Sequence, residues 1–183
     1  KLATEPTVSG GAPFDFGARL SRQSTGDKWG MLVEAVQDAG VFISAVESDG
    51  GGVVPAHNLT VPEGQRLGAG DRVVSVNGDE TLVGMVAMLR EATELVLVLR
   101  RPVVFEETLA RSGGSLGLTL RHTEGGRGLY VHAIDPTSAA SRQPANLAVG
   151  DRIVRVNGRG GGVQELLAEL TSASSPRLTV TRA

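Results

Sequence analysis

No cysteine occurs in the 183 residues. Disulfides, thiolate nucleophiles and cysteine metal ligands are therefore excluded, and cysteine usage says nothing of compartment. Aromatic residues are scarce, 3% with one Trp and one Tyr, too few for the basic–aromatic surfaces that stack nucleobases. Lysine is nearly missing: Lys1 and Lys28 stand against 16 arginines, a bias of composition and not a site. Long apolar runs are missing too. Leu95–Leu99 is short and the stretch 82–89 is broken by Gly84, whereas a membrane helix needs about 20 residues. Strong charge of either sign is absent. Residues 1–101 carry -4 and residues 102–183 carry +2, for a net of -2. Nothing here draws the chain to nucleic acid or into a membrane. The chain starts at Lys1 and not at Met, which reads as a fragment or as a processed form.

What is present is an ordinary globular balance, 40% hydrophobic and 21% charged, enough for a core. It comes as a duplication. Residues 67–78 read LGAGDRVVSVNG and residues 147–158 read LAVGDRIVRVNG, identical at eight of twelve positions with an offset of 80. Internal repetition sets the architecture before any local pattern does. Leu67 and Leu147 read as core plugs, and Gly70 and Gly150 as turns. The runs at Val73, Val74, Val76 and at Ile153, Val154, Val156 favour strands. Asn77-Gly78 and Asn157-Gly158 favour tight turns with positive φ.

The repeat extends outward, since Pro13, Phe16 and Leu20 match Pro102, Phe105 and Leu109 at an offset of 89. Strands are expected near 14–21, 30–36, 41–46, 72–76 and 95–100, then near 103–110, 117–122, 129–134, 152–156 and 177–182. Leu82, Met85, Val86 and Leu89 follow the i, i+3, i+4, i+7 spacing of an apolar helix face, as do Val163, Leu166, Leu167 and Leu170. The expected division is a polar tail over 1–12, a first domain over 13–101 and a second over 102–183. The junction Arg100-Arg101-Pro102 leaves almost no linker, so a fairly fixed pair is expected. The segment 47–66, about eight residues longer than its counterpart 135–146, holds Gly50-Gly51-Gly52, Pro55 and Pro62 and reads as an irregular loop. Ala139, Ala140 and Ser141 suit a short helix.

The repeated segment, strand order and helix together resemble PDZ domains over nearly the whole chain. The resemblance implies a mainly β fold with α (α+β): two partly open β-barrels or sandwiches, each capped by helices. The second half is the closer match. Its Arg111-Ser-Gly-Gly-Ser115-Leu116-Gly117-Leu118 resembles the basic residue and carboxylate-binding loop of the family, with Ser115 in place of the first glycine. The first half has Lys28-Trp29-Gly30-Met31 there, with Lys28 in place of that glycine and a loop two residues longer. The chemistry follows from the residues. Successive N–H groups in a tight turn accept an anion, and glycine allows the close approach and the φ required. The amides of Leu116, Gly117 and Leu118 would hold a terminal carboxylate, with Arg111 nearby. The ligand would lie as an added strand beside 118–122. Leu116, Leu118 and Leu120, facing Leu167 and Leu170, would take the terminal side chain. In the family the first helix residue meets the ligand side chain two before the terminus. The helix spacing puts Val163 there in the second half and Leu82 in the first. Neither accepts a hydrogen bond, so the expected ligand ends Φ-x-Φ, where Φ is a bulky hydrophobe. In the first half Lys28, Trp29, Gly30, Met31, Val33, Leu82 and Val86 are the corresponding peptide-binding candidates. Each apolar one of these also suits a plain core role.

Other chemistry finds less support. Gly113-Gly114-Ser115-Leu116-Gly117 matches G-x-S-x-G, but a nucleophile elbow needs a helix after the serine and a later acid and His in order. A strand is expected there, and no His follows Asp135. No catalytic residue is expected. His57, His122 and His132 lack a carboxylate or thiolate cluster, so no metal or other cofactor is expected. The Gly158–Gly162 run lacks the Lys-Ser/Thr of a phosphate loop and reads as a hinge.

Three functions stand open at this point. The first is a non-catalytic adaptor for carboxyl-terminal tails of membrane or complex subunits. The second is a permanent accessory subunit of a larger assembly, membrane-associated or organellar. The third is a regulatory fragment of a larger enzyme such as a protease, ranked last because the strand order resembles the animal-type arrangement. Compartment stays open between cytoplasmic, membrane-apposed and, if Lys1 follows a removed targeting peptide, an organelle such as a plastid.

Overall fold

The computed structural model describes residues 2–3, 12–48, 51–111, 114–142 and 146–183. It divides into two units, Lys1–Pro102 with Ala183, and Val103–Arg182. In unit one the order is β1 (Leu2–Ala3), β2 (Phe14–Ser21), β3 (Met31–Val36), β4 (Gly40–Glu47), α1 (Val53–Thr60), β5 (Arg72–Val76), α2 (Leu82–Glu91) and β6 (Glu94–Arg101). In unit two it is β7 (Val103–Thr108), β8 (Leu118–Arg121), β9 (Leu129–Ile134), α3 (Ala139–Arg142), β10 (Arg152–Val156), α4 (Val163–Ser172) and β11 (Arg177–Arg182). The antiparallel sheets correspond strand for strand. One runs β2-β6-β5-β4-β3, with β1 on β4. The other runs β7-β11-β10-β9-β8.

The repeated segment is scaffold in both units. Asp71 accepts the Gly68 N–H at 2.8 Å and a bidentate pair of bonds from Arg101 at 2.8 and 2.9 Å. Asp151 accepts from Ala148 N–H at 2.8 Å and from Arg182 at 2.7 and 2.8 Å. A buried carboxylate is stable only with such partners. Asn77 and Asn157 take φ of 51° and 53°, followed by Gly78 and Gly158 at 84° and 77°, the tight turn expected. The Oδ1 atoms of Asn77 and Asn157 accept the N–H groups of Val96 and Arg177 at 2.7 and 3.0 Å, tying each turn to the last strand.

Each sheet closes over its own core. Leu20, Val41, Ile43, Leu67, Val73, Val76, Met85, Leu89 and the leucines of β6 fill unit one. Leu109, Leu129, Ile153, Leu166, Leu170, Leu178 and Val180 fill unit two. The strand next to the last in each sheet carries a bulge: Leu32 and Val33 face Ala45 and Ile43, and Thr119 and Leu120 face Ala133 and Val131. Ser44 and His132 are therefore the extra residues, on β4 and β9.

Three sequence readings change. The segment 47–66 is not an irregular loop: α1 and a 3₁₀ turn at Glu63–Gln65 occupy much of it. Pro55 is compatible because it sits in the first helical turn, where an N–H has no intrahelical acceptor. Val54 is fully buried and anchors the helix. The tail contributes a strand, Leu2 pairing with Glu47 and Ala3 with Val46; residues 4–11 of it lie outside the described residues. The run expected to hinge at Gly158–Gly162 holds a turn and, at Gly162, the N-cap of α4, whose N–H donates to the Glu165 carboxylate at 2.5 Å.

Candidate functional site

In unit two, the chain enters β8 through Ser115-Leu116-Gly117. Gly117 has φ of 72°, and a Cβ there would meet the Ser138 Cβ at 2.0 Å. Conformation and space both require glycine. The Asp135 N–H donates to the Gly117 carbonyl at 2.8 Å, fixing the turn against the end of β9. The Gly117 N–H itself donates to Ser115 Oγ at 3.0 Å. One donor of the anion cradle is thus held by the chain's own hydroxyl. Leu116 is buried, while Leu118, Leu120 and Leu167 are half-buried and pack on the same core. Leu170 and Val163 are buried, Val163 at 4% exposure, and the Val163 N–H donates to the Gly126 carbonyl at 3.0 Å. The β8–β9 loop therefore reaches the start of α4. On its other edge β8 pairs with no strand among the described residues.

Arg111 has a role that its spacing did not reveal. Its Nε donates to the Ala173 carbonyl at 2.8 Å. Nη1 donates to Gly114 at 2.8 Å, and Nη2 to Leu170 and Thr171 at 2.5 and 3.0 Å. The last carbonyls of a helix lack intrahelical donors and carry the negative end of its dipole. Arg111 satisfies three carbonyls at that end and ties the cradle loop to it. Arg111 does lie beside the loop, and its guanidinium clamps the loop to the helix end. Ser112 and Gly113 of this loop lie outside the described residues.

Unit one builds the same turn differently. Gly30 has φ of 75°, and a Cβ there would meet the Gly51 carbonyl oxygen at 2.5 Å and Pro55 Cδ at 2.7 Å. The Glu47 N–H donates to the Gly30 carbonyl at 2.9 Å. The first amides of α1, on Val53 and Val54, donate to the carbonyls of Lys28 and Trp29 at 3.3 and 2.8 Å. Lys28 is exposed and lines a cavity of about 770 Å³ with Arg19, Arg22, Val53 and His57, on the α1 side of the loop. Met31, Leu82 and Val86 are half-buried on the core, and Val33 is exposed. Trp29 is buried at 8% exposure, and its indole Nε1 donates to the Leu89 carbonyl near the end of α2 at 2.8 Å. Arg22 donates to the carbonyls of Ala92 and Arg90 at 2.9 and 2.5 Å, and to that of Asp27 at 3.0 Å. Its Cζ lies 4.5 Å from the Trp29 ring centroid. Arg22 is the counterpart of Arg111. The offset of 89 that links Leu20 to Leu109 also links this pair, and that signal was in the sequence.

A PDZ domain model matches residues 107–171, from β7 to the last turn of α4. Residues 107–171 are a PDZ domain. The first unit repeats this PDZ fold strand for strand, so the chain is a tandem of two PDZ-fold units, mainly β with helices. The PDZ domain of unit two is a peptide-binding interaction module. No curated protein matches the chain in sequence. Solved structures with similarity include INAD PDZ45 in complex with NG2 peptide, at 21% identity over 97% of this chain and 94% of that one, TM-score 0.39. A choanoflagellate SHANK1 PDZ domain bound to GIRK3 peptide matches at 21% identity over 45% of this chain and 94% of that one, TM-score 0.40. A choanoflagellate GIPC PDZ domain matches at 27% over 43% and 88%, TM-score 0.36.

The G-x-S-x-G match fails on geometry: Ser115 leads into strand β8 and spends its hydroxyl on the Gly117 amide. His122 and His132 are both exposed, and no cluster of three metal-ligating side chains occurs among the described residues. No helix among the described residues is long and apolar enough to cross a membrane.

Proposed function

We propose that the chain is a non-catalytic adaptor that captures the carboxyl-terminal tails of other proteins at unit two. The observation that carries this is the edge of β8, paired with no strand among the described residues and running directly out of a turn in which Gly117 has φ of 72°. A peptide added to that edge gains main-chain bonds, and its terminal carboxylate meets the amides at the turn. The half-buried Leu118, Leu120 and Leu167, above Leu116 and Leu170, offer an apolar seat for the terminal side chain. Arg111 holds the loop that presents the amides. Ser115 Oγ keeps the Gly117 N–H satisfied until a carboxylate oxygen replaces it. Val163, at the head of α4, has no acceptor to offer a ligand hydroxyl, so the preferred tail ends Φ-x-Φ.

The test is titration of a short Φ-x-Φ-COOH peptide into ¹⁵N-labelled full chain. The Gly117 and Leu118 amides should shift, and amidation of the peptide terminus should abolish the shift. A peptide array with clear preference for Ser or Thr two before the terminus would refute the selectivity.

A further inference from the structure

Trp29 and Leu116 are equivalent residues: each immediately precedes the positive-φ glycine, and each is 8% exposed. What lies beyond them differs. In unit two one guanidinium, that of Arg111, satisfies Leu170, Thr171 and Ala173 at the end of α4. In unit one the matching carbonyls of α2 are shared. Arg22 takes those of Arg90 and Ala92, and the Trp29 indole takes that of Leu89. The indole thus bridges from the cradle loop to the helix, a reach that a leucine in its place does not have. Four attachments keep it there: the buried hydrogen bond, the Arg22 guanidinium stacked at 4.5 Å, the core around it, and the Val54 N–H on its own carbonyl. A cation–π contact and, above all, a buried hydrogen bond are costly to give up.

We infer that Trp29 fills the terminal-residue pocket of unit one, so that the chain takes one carboxyl terminus and not two. This rests on the proposed function of unit two. Trp29 is the only tryptophan, so its indole N–H is a single NMR signal that reports on unit one alone. In a titration of the full chain with a Φ-x-Φ-COOH peptide, Gly117 and Leu118 should shift. Gly30, Met31 and the indole should stay fixed, with a calorimetric stoichiometry of one. In Trp29→Leu, which gives unit one the residue that unit two has, Gly30 and Met31 should respond and the stoichiometry should rise to two. A wild-type indole that moves with the peptide overturns the inference. So does a folded Trp29→Leu variant that still has one site. If unit one of that variant does not fold, the wild-type indole decides alone. Silence at Gly117 and Leu118 would instead overturn the proposed function, and the Trp29→Leu titration would still decide on unit one.

Discussion

The two units finish the same helix in two ways. In unit two a single side chain, Arg111, collects the free carbonyls of α4 and holds the loop as well. In unit one the work is divided between Arg22 and Trp29, and α1 adds two amides to the loop from behind. The physical demand is identical, since the last carbonyls of a helix have no intrahelical donors. The solutions differ in which side chains they use. An arginine reaches the helix end from the loop beside Leu116 without involving that residue, whereas in unit one the indole of the equivalent residue is itself bonded to the helix. A duplicated fold can therefore keep its frame while the side chains that finish it diverge.

The largest effect should come from removing the glycine of the turn. Gly117→Ala brings a Cβ to 2.0 Å from Ser138 at φ of 72°. The expected cost is roughly 3–5 kcal/mol to unit two alone. Hydrogen exchange resolved by residue should show the β8 and β9 amides losing protection while unit one keeps its own. Next, Arg111→Lys keeps the charge but its compact ammonium has three donors and cannot span all four carbonyls, and should cost unit two about 1–2 kcal/mol in denaturant unfolding. Arg22→Lys should cost about half as much, because Trp29 still meets Leu89. Equal losses would sink the division of labour described above.

A smaller effect is expected at the cradle. Ser115→Ala frees the Gly117 N–H and should tighten peptide binding about 2–5-fold by calorimetry. No effect is expected on unit one. The smallest difference concerns acid. The Arg100 guanidinium, bonded to Asp15 at 2.6 and 2.9 Å, holds that carboxyl below its ordinary range. The hydroxyl and N–H of Thr81 do the same for Asp79. A depressed folded-state pKa gives stability that is present above the unfolded value and lost as pH falls through the lowered one. Unit two has Val104 and Arg159 at the matching positions. Carboxyl NMR titration should show Asp15 and Asp79 protonating late, while Asp71, whose burial raises its pKa, works in the opposite direction on unit one.

Most of the frame was legible because it is periodic or repeated. The strand alternation, the helix stripes and the Gly-Asp-Arg and Asn-Gly segments have local causes, and strands such as 72–76 and 152–156 lie where expected. The carboxylate loops were legible as a departure of one half from the other. What escaped depended on tertiary partners. Helix α1 looked like a loop because Gly51, Gly52 and Pro55 argue against a helix locally, and its first amides are met by the carbonyls of Lys28 and Trp29 from another part of the chain. Arg111 was found and its use was not, because a spacing does not say which carbonyls a guanidinium will reach. Nor does it say which way an indole points. The burial of Val163 depends on the β8–β9 loop, whose composition gives no sign of where it folds.

A sheet that must leave a strand edge bare to receive a partner has also made a template for its own copies. Leu32 and Val33 stand exposed on β3. The bulges at Ser44 and His132 bear on that hazard. By adding a residue to the neighbouring strand they sharpen the local twist just where the bare edge begins. The edge that results is short, six residues on β3 and four on β8. One brief strand can lie along it, but a second sheet of the same twist cannot lie flush against it. The irregularity thus works against polymerisation along β3 and β8, the two edges that it borders.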